Sequence, residues 1–568
     1  MSRSFSRAFI SSVAICLAVF FALTALPVWG QGGTVGSVKI TVLDPSAASI
    51  AGAAVSLRNL DTNSVMNGTT ESGGLYTFAS VPFGTYELTI TKAGFEMQVL
   101  SSVIVQGGRV TDIKVTLKIG AATEKVVVTA SATPLLQTSD NALGSTIDMK
   151  QINDLPLGGR DVSQLVFLTP GYAGTAGYGT WNGLPLIAQS NTVDGVVANT
   201  NRMKFGGDAT PAMSARLEDI QEMTIQTSQT SLNQGFGEAS MGASYLTKGG
   251  TNSYHGEVFE DFRNSYLNAN SWYNNAIGLP RNPLILNEFG GSAGGPIRKN
   301  KLFFFGSFSM SRQPGGYTNS QTFLSPTAQT GTYTIWQPQP SGSPFTVGQA
   351  INLFSAVAAP NGLPSAINNP AAPAACSAGE SPCPNNTYGN ITSELALVNK
   401  DLTATNANIT PTADPNTETV NWFVPSPDKY YYPAMRLDYN ATQNLRVNFA
   451  FEETRETHTG NAAPYYPGSD FANQSASFAQ KNYTSSLGLG WTISPNLVNE
   501  FRVGYLYTWL SYGAGAQPLW DTEPAVNWAV GNSGQEFNLA TGQYYPTISG
   551  SDTLTWLHGA HTLSFGFD

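Results

Sequence analysis

The stretch LRVNFAFE, residues 445–452, alternates apolar and polar side chains along its whole length. Successive side chains of a β-strand point to opposite faces, so one face here carries Leu, Val, Phe and Phe and the other Arg, Asn, Ala and Glu. The same alternation recurs in residues 483–493, 501–509 and 563–567. The pattern predicts an antiparallel β-sheet with one apolar face.

The links between these strands alternate in length. Short links fall near residues 442–444, 494–496 and 558–560, and long polar links near 313–430, 457–481 and 511–551. Outer-membrane barrels have short periplasmic turns at one rim and long extracellular loops at the other. A soluble β-protein can imitate one such repeat, but three in series favour a membrane barrel.

The composition agrees with membrane strands and excludes some partners. Of the 568 residues, 12% are charged and 11% are aromatic, yet the mean hydropathy is only −0.11. Polar, uncharged residues therefore take the place that charged residues have in a typical soluble protein, as expected where polar and apolar side chains alternate along strands. With 28 basic and 38 acidic residues the net charge is −10, and no Lys/Arg cluster is present. We therefore predict no nucleic-acid partner.

The N-terminus predicts export. Arg3 and Arg7 precede an apolar run over residues 8–26, and Gly30 offers a cleavage point, which is typical of a signal peptide over residues 1–30. The alternative is an uncleaved membrane anchor.

Cys376 and Cys383 lie close together in a long polar loop, where a disulfide is favoured over two free thiols.

Residues 31–119 predict a small β-sandwich. Short alternating strands are separated by turn signals such as Asp44-Pro45, Asn67-Gly68 and Gly73-Gly74. The segments ESGGLYTF, residues 71–78, and VPFGTY, residues 81–86, make this region resemble the carboxypeptidase regulatory-like domain. The resemblance implies a transthyretin-like sandwich with a carbohydrate-binding-like fold and no catalytic residues.

The region from residue 135 to 250 contains both the 3.6-residue period of helices and the two-residue period of strands. Helices are predicted near Ile147–Ile152 and Val162–Leu168, and strands near Ser190–Val196 and Met223–Thr227. Four motifs occur here in the same order as in the α/β plug of Oar-like TonB-dependent outer-membrane receptors, which this region resembles. They are LPLGGRD, residues 155–161, TVDG, residues 192–195, IQEMTIQTS, residues 220–228, and YLTKGGTN, residues 245–252. The resemblance implies a bacterial receptor whose barrel begins at residue 251 and runs to 568. The plug motif positions that it implies are Leu155, Pro156, Gly159, Arg160, Asp194 and Gly195.

A short β-prone run lies in the linker over residues 120–134 and resembles a TonB box. Its residues are Glu124, Lys125, Val126, Val127, Val128, Thr129 and Ala130. Such a segment can add as a strand to the sheet of a periplasmic TonB-type protein through main-chain hydrogen bonds. The alternative is that it forms the last strand of the sandwich.

The fold class is therefore mainly β, with a sandwich, a plug and an incomplete barrel in outer-membrane lipid. The alternation supplies only about eight to twelve strands after the plug, whereas the resembled transporters close with about 22, so we expect a truncated barrel.

We predict no catalytic, cofactor or metal residues. Residues 290–294 match G-x-S-x-G, but Pro296 follows at once where a nucleophile elbow needs a helix. The four histidines form no metal motif. The expected function is TonB-driven import of an extracellular ligand, such as an oligosaccharide, peptide, cobalamin or siderophore. The alternative is a surface adhesion or structural protein that does not transport.

Overall fold

The structure is a computed structural model. It describes residues 34–120, 125–129, 144–155, 157–199 with short gaps, 212–227 except 214, 241–272, 275, 281, 284–329, 332–338, 341, 346–352, 408–458, 478–512, 541–558 and 561–567. The predicted signal peptide over residues 1–30, Pro156, Cys376 and Cys383 lie outside these described residues.

The N-terminal strands form two sheets packed face to face. The strands are β1 Val35–Leu43, β2 Ala54–Asn59, β3 Val65–Thr69, β4 Leu75–Pro82, β5 Gly84–Thr91, β6 Met97–Val105, β7 Val110–Thr116 and β8 Lys125–Thr129. One sheet has the order β4-β1-β7 and the other β3-β2-β5-β6-β8. The alternating apolar residues Val38, Ile40 and Val42 of β1 share one buried core with Leu57 and Leu88. The predicted sandwich is confirmed.

One turn prediction in the sandwich is wrong. Asn67 and Gly68 lie inside β3, paired with Ser56 and Val55 of β2. A side chain at position 68 would collide with the ring of Tyr76, so this glycine allows close packing of a ring rather than a chain reversal.

The plug combines a five-stranded sheet with short helices. Its strands are β9 Gly144–Asp148, β10 Tyr172–Thr175, β11 Tyr178–Trp181, β12 Leu184–Pro185, β13 Gln189–Val193, β14 Val196–Val197, β15 Ile220–Gln226 and β16 Met241–Thr247, and its helices are α1 Met149–Asp154 and a 3₁₀ helix, Val162–Leu168. The larger sheet has the order β14-β13-β16-β15-β9, so β9 is an edge strand. Strands β10, β11 and β12 form a separate small sheet.

Local sequence explains where α1 begins. Asp148 accepts a hydrogen bond from the backbone N–H of Gln151 at 2.9 Å, and the Gln151 side chain accepts one from the Asp148 N–H at 3.3 Å. This capping box satisfies two N–H groups that would otherwise lack partners. The helix therefore starts at Met149, and Ile147, predicted as helical, belongs to β9.

The C-terminal region forms the barrel wall. Its strands are β17 His255–Asn264, β18 Ile285–Arg298, β19 Leu302–Gln313, β20 Gly316–Leu324, β21 Thr332–Thr334, β22 Ala350–Asn352, β23 Asn408–Pro411, β24 Thr417–Pro425, β25 Asp428–Asn440, β26 Leu445–His458, β27 Phe478–Ser494, β28 Leu497–Tyr512, β29 Thr541–His558 and β30 His561–Phe567, with a 3₁₀ helix, Ser265–Leu267, and helix α2, Pro326–Gln329. Nine of them form one antiparallel sheet in the order β17-β18-β19-β25-β26-β27-β28-β29-β30. Strands β18 to β29 of this sheet have 12 to 18 residues each, more than the roughly 9–11 that cross a bilayer.

The register of this sheet separates its two faces. Arg436, Ala450, Ser486 and Gly504 are directly paired along neighbouring strands, and Gly504 lies against Val196 of the plug. The next row consists of apolar residues and points the other way, as the alternation predicts. It contains Leu437, Phe449, Leu487 and Val503.

The connections alternate as expected. Short links join β18 to β19, β25 to β26 and β27 to β28, while long links precede β18, β25, β27 and β29. Within the described part of the link between β19 and β25, strands β20, β24 and β23 form a three-stranded sheet. Among the described residues β17 and β30 do not pair with each other, so the nine strands form an open sheet. No helix in the described part of the chain is long and apolar enough to cross a membrane.

Candidate functional site: charged contacts between plug, barrel wall and sandwich

The TVDG motif of the plug ends in a tight turn that faces the barrel wall. Asp194 and Gly195 both have positive φ values, 46° and 76°, which favour short polar residues and glycine. The Asp194 carboxylate accepts hydrogen bonds from the Thr247 hydroxyl at 2.6 Å and the Thr247 N–H at 3.2 Å. The turn is therefore fixed to strand β16 of the plug before it meets the wall.

Two wall arginines bind this turn. Arg436 of β25 donates from Nη1 to the Asp194 carboxylate at 3.0 Å and binds Asp438 on its own strand at the same distance. Arg502 of β28 donates to the backbone carbonyl of Asp194 at 2.8 Å. Both arginines are buried, with 9% and 6% of their surface exposed. Buried charges need partners, so moving the plug away from the wall would leave these charges unpaired, which is unfavourable.

Arg160, from the LPLGGRD motif, forms a second contact. Its guanidinium donates to Glu218 within the plug and to Asp261 on the wall, each at 2.8 Å. The same group lies 3.8 Å from the centre of the Phe259 ring, in a cation–π arrangement. Gly159 and Arg160 have positive φ values, and this bend directs Arg160 towards the wall.

Arg216 of the plug forms a third contact, which was not predicted from the sequence. It donates to the Gly159 carbonyl at 2.6 Å and to Glu288 of β18 at 3.1 Å. Its guanidinium also lies 4.3 Å from the centre of the Tyr432 ring. The only signal in the sequence was a charged residue shortly before strand β15, and its partner lies 72 residues away.

Asp219 lies beside this contact and is fully buried in the plug. Its carboxylate accepts a hydrogen bond from the Ser307 hydroxyl of β19. Burial raises the pKa of Asp219 to about 7, while the bond from Ser307 opposes the rise. A proton on this plug carboxyl is therefore favoured at pH values where an exposed aspartate is ionised.

The sandwich is also attached, at the short-turn end of the wall. Asn63 donates to Asn300 in the β18–β19 turn at 3.1 Å, and the Asn252 N–H donates to the Asp61 carbonyl at 2.9 Å. On the other side, the Arg446 guanidinium donates to the Ser80 carbonyl at 3.1 Å, and the Ser80 hydroxyl binds Glu500.

A hydrogen bond joins the sandwich directly to the plug. The Gly107 N–H donates to the Glu222 carboxylate of β15 at 2.8 Å. Burial raises the pKa of Glu222 to about 7, and the bond from Gly107 partly offsets this. A cavity of about 210 Å³ lies where the three parts meet, lined by charged groups that include Asp61, Asp194, Arg436 and Arg446.

The predicted site residues divide into three groups. Arg160, Asp194 and Gly195 lie at plug–wall contacts. Gly159 accepts a hydrogen bond from Arg216 within the plug, and Leu155 ends α1, donating its N–H to the Gln151 carbonyl. Lys125–Thr129 of the predicted TonB box forms β8, while Glu124 and Ala130 lie outside the described residues. The described residues contain no cluster of three His, Cys, Asp or Glu that could hold a metal ion.

Comparison with known families agrees with this architecture. Residues 246–568 match the outer membrane beta barrel domain, and residues 37–118 match the carboxypeptidase regulatory-like domain. Because the first match covers more than half of the sequence, this chain belongs to the outer-membrane β-barrel family. Its location is the outer membrane.

Individual relatives are more distant. The TonB-dependent transporter Oar of Myxococcus xanthus is 29% identical over 256 residues, which are 43% of this chain and 23% of Oar. The chain thus spans about a quarter of that relative's length. The resemblance to Oar-like receptors inferred from the plug motifs is confirmed.

Solved structures of outer-membrane proteins are also similar. The outer membrane transporter YddB of Escherichia coli has a TM-score of 0.44 at 9% identity, covering 74% of this chain and 47% of YddB. The siderophore receptor PirA of Acinetobacter baumannii has a TM-score of 0.41 at 13% identity, with the same two shares covered.

Proposed function

We propose that this chain acts in a TonB-dependent outer-membrane receptor that binds an extracellular ligand and admits it to the periplasm when its plug is remodelled. The observation that carries the proposal is a plug bound to the wall through buried ion pairs, with a short edge strand, β8, ahead of it in the chain. Arg436–Asp194 and Arg216–Glu288 are the central pairs. Such contacts keep the plug seated, so moving it requires outside work.

The energy-coupling partner would be a periplasmic TonB-type protein that binds residues 124–130. Strand addition needs backbone N–H and C=O groups and tolerates most side chains, which suits the run of valines in β8. The ligand would be met by the long loops at the opposite rim. An oligosaccharide, a peptide, a cobalamin or a siderophore would each be compatible with this arrangement.

Binding of the isolated periplasmic domain of the TonB-type protein from the same genome tests the proposal. We expect the full chain in detergent to bind this domain, and Val127→Pro to weaken binding at least about tenfold because proline removes an N–H donor. Val127→Thr is the matched control, since it keeps the donor and the β-branched shape. Absence of binding by the unaltered chain would overturn the proposal and favour the adhesion function.

A further inference from the structure

The segment resembling a TonB box is already paired within the sandwich. Strand β8 lies parallel to β6, in register from Met97 opposite Lys125 to Ser101 opposite Thr129. It is the outermost strand of the five-stranded sheet. In a parallel pair, alternate residues of each strand direct their N–H and C=O groups to the neighbour. One edge of the segment is thus occupied by its own chain.

Strand β6 is a well-anchored neighbour. On its other side it pairs with β5, and its side chains Val99, Val103 and Val105 are buried in the sandwich. The β5–β6 register shifts between Leu100 and Val103, and Ser102 there has a φ of 62°. This bulge bends β6 just beyond Ser101, where the pairing with β8 ends. The straight part of β6 therefore accommodates five residues of the segment.

Because the sandwich is attached to the wall, the β6–β8 pairing affects how a pulling force on β8 is transmitted. The sandwich is bound to the wall through Arg446–Ser80 and Asn63–Asn300. While β8 remains in the sandwich sheet, a pull on it is borne by these contacts. The plug, which follows β8 in the chain, takes the whole load only after β8 has left β6.

We infer that the sandwich stores the segment Lys125–Thr129 and competes for it with the strand of the periplasmic partner. The inference rests on the proposed function and adds a regulatory step to it. The edge of β6 over Met97–Ser101 is the intramolecular competitor, because a partner strand that takes the same edge of β8 must displace β6.

A disulfide across the two strands tests the competition. The full chain, with its own three cysteines changed to serine, receives Ser101→Cys and Thr129→Cys, which stand opposite each other. Neighbouring strands are about 4.8 Å apart, within disulfide reach. The control combines Ser101→Cys with Lys125→Cys, displaced by roughly 13 Å along β8.

We expect the opposed pair to cross-link on oxidation and the control to stay largely reduced. The oxidised chain should bind the periplasmic domain of the TonB-type protein at least tenfold more weakly than the same chain after reduction. Adding that domain before oxidation should lower the cross-linking yield.

Three results would count against storage of the segment. Cross-linking no greater than in the control would show that β8 does not stay on β6. Equal binding by the oxidised and reduced chains would reject competition while leaving the proposed function intact. Absence of binding by both forms and by the unaltered chain would remove the proposed function, and this inference with it.

Discussion

The Arg436 guanidinium of the barrel wall lies 3.0 Å from the Asp194 carboxylate of the plug, although 242 residues separate the two in the chain. Both groups are buried, and each has a second ligand on its own part of the protein, Asp438 for the arginine and Thr247 for the aspartate. The pair is thus a preorganised contact between two units. Its strength depends on both charges being present.

Removing the arginine should loosen the plug. Arg436→Met leaves Asp194 as a buried charge without its cation, which costs about 3–5 kcal/mol in comparable cases. We expect a lower unfolding free energy and faster trypsin cleavage of the plug in the detergent-solubilised chain. Lys39→Met is the control, because Lys39 and its partner Asp112 are 38% and 37% exposed; exposed pairs contribute about 0–1 kcal/mol. Equal effects of this substitution and Arg436→Met are not expected and would contradict a special role for Arg436.

The plug carboxyls should make stability depend on pH. Burial raises the folded-state pKa of Glu222 to about 7 from a reference value of 4.5. Between these values the folded chain holds a proton that the unfolded chain releases, so the unfolding free energy falls as pH rises through this window. The stabilising contribution is fully present below pH 4.5 and is lost above 7.

The unfolding free energy should depend less steeply on pH in Glu222→Gln than in the unaltered chain. Between pH 4.5 and about 7 the slope should fall by up to about 1.4 kcal/mol per pH unit, because one titrating group is removed. Denaturant unfolding at pH 5, 6 and 7 measures it. Asp219 titrates in the same direction and should leave a residual slope. Glu260→Gln, at an exposed position of β17, serves as the control and should leave the slope unchanged. An unchanged slope in Glu222→Gln would refute the assignment.

The sandwich should be docked on the wall in solution. Asn63→Cys with Asn300→Cys, in a chain without its natural cysteines, should be joined by a short reagent that reacts with two thiols, because the two asparagine side chains meet at 3.1 Å. The comparison variant moves the first cysteine to Thr69, which lies roughly 13 Å or more away at the other end of β3. Similar yields from both pairs, measured by gel mobility, would indicate a freely tumbling sandwich.

The sandwich should also fold by itself. Its buried core is made almost wholly by strands β1 to β7, and residues 31–118 contain all of them. Expressed alone, this fragment should be soluble, give a β-type circular dichroism spectrum and unfold cooperatively. A random-coil spectrum would show that the sandwich depends on the wall and the plug for its stability.

Strand periodicity made the wall predictable, because one-residue alternation directly encodes which face a side chain occupies. It correctly placed Arg446 and Glu452 on the face opposite Phe449. Periodicity could not predict that Arg436 contacts Asp194 or that Arg216 contacts Glu288. Alternation specifies the face of the sheet on which a side chain lies, but not which residues of another domain pack against that face. Those contacts arise only when the plug is packed against the wall.

Glycine was the other source of error. The strand predicted over Ser190–Val196 is interrupted by a turn at Asp194 and Gly195, both of which have positive φ values. Gly68 has the same local appearance, an Asn-Gly pair, yet its role is to make room for the ring of Tyr76. A local sequence signal cannot distinguish a chain reversal from a close approach between distant residues.

The position of β9 sets how the plug responds to tension. This strand is the first of the plug and lies at the edge of its sheet, joined only to β15 among the described strands. A pull arriving from ahead of Gly144 first loads the pair Gly144–Gln226, and the remaining pairs as far as Asp148–Glu222 can then open one after another. Five residue pairs, rather than the whole sheet, would therefore resist such a pull first.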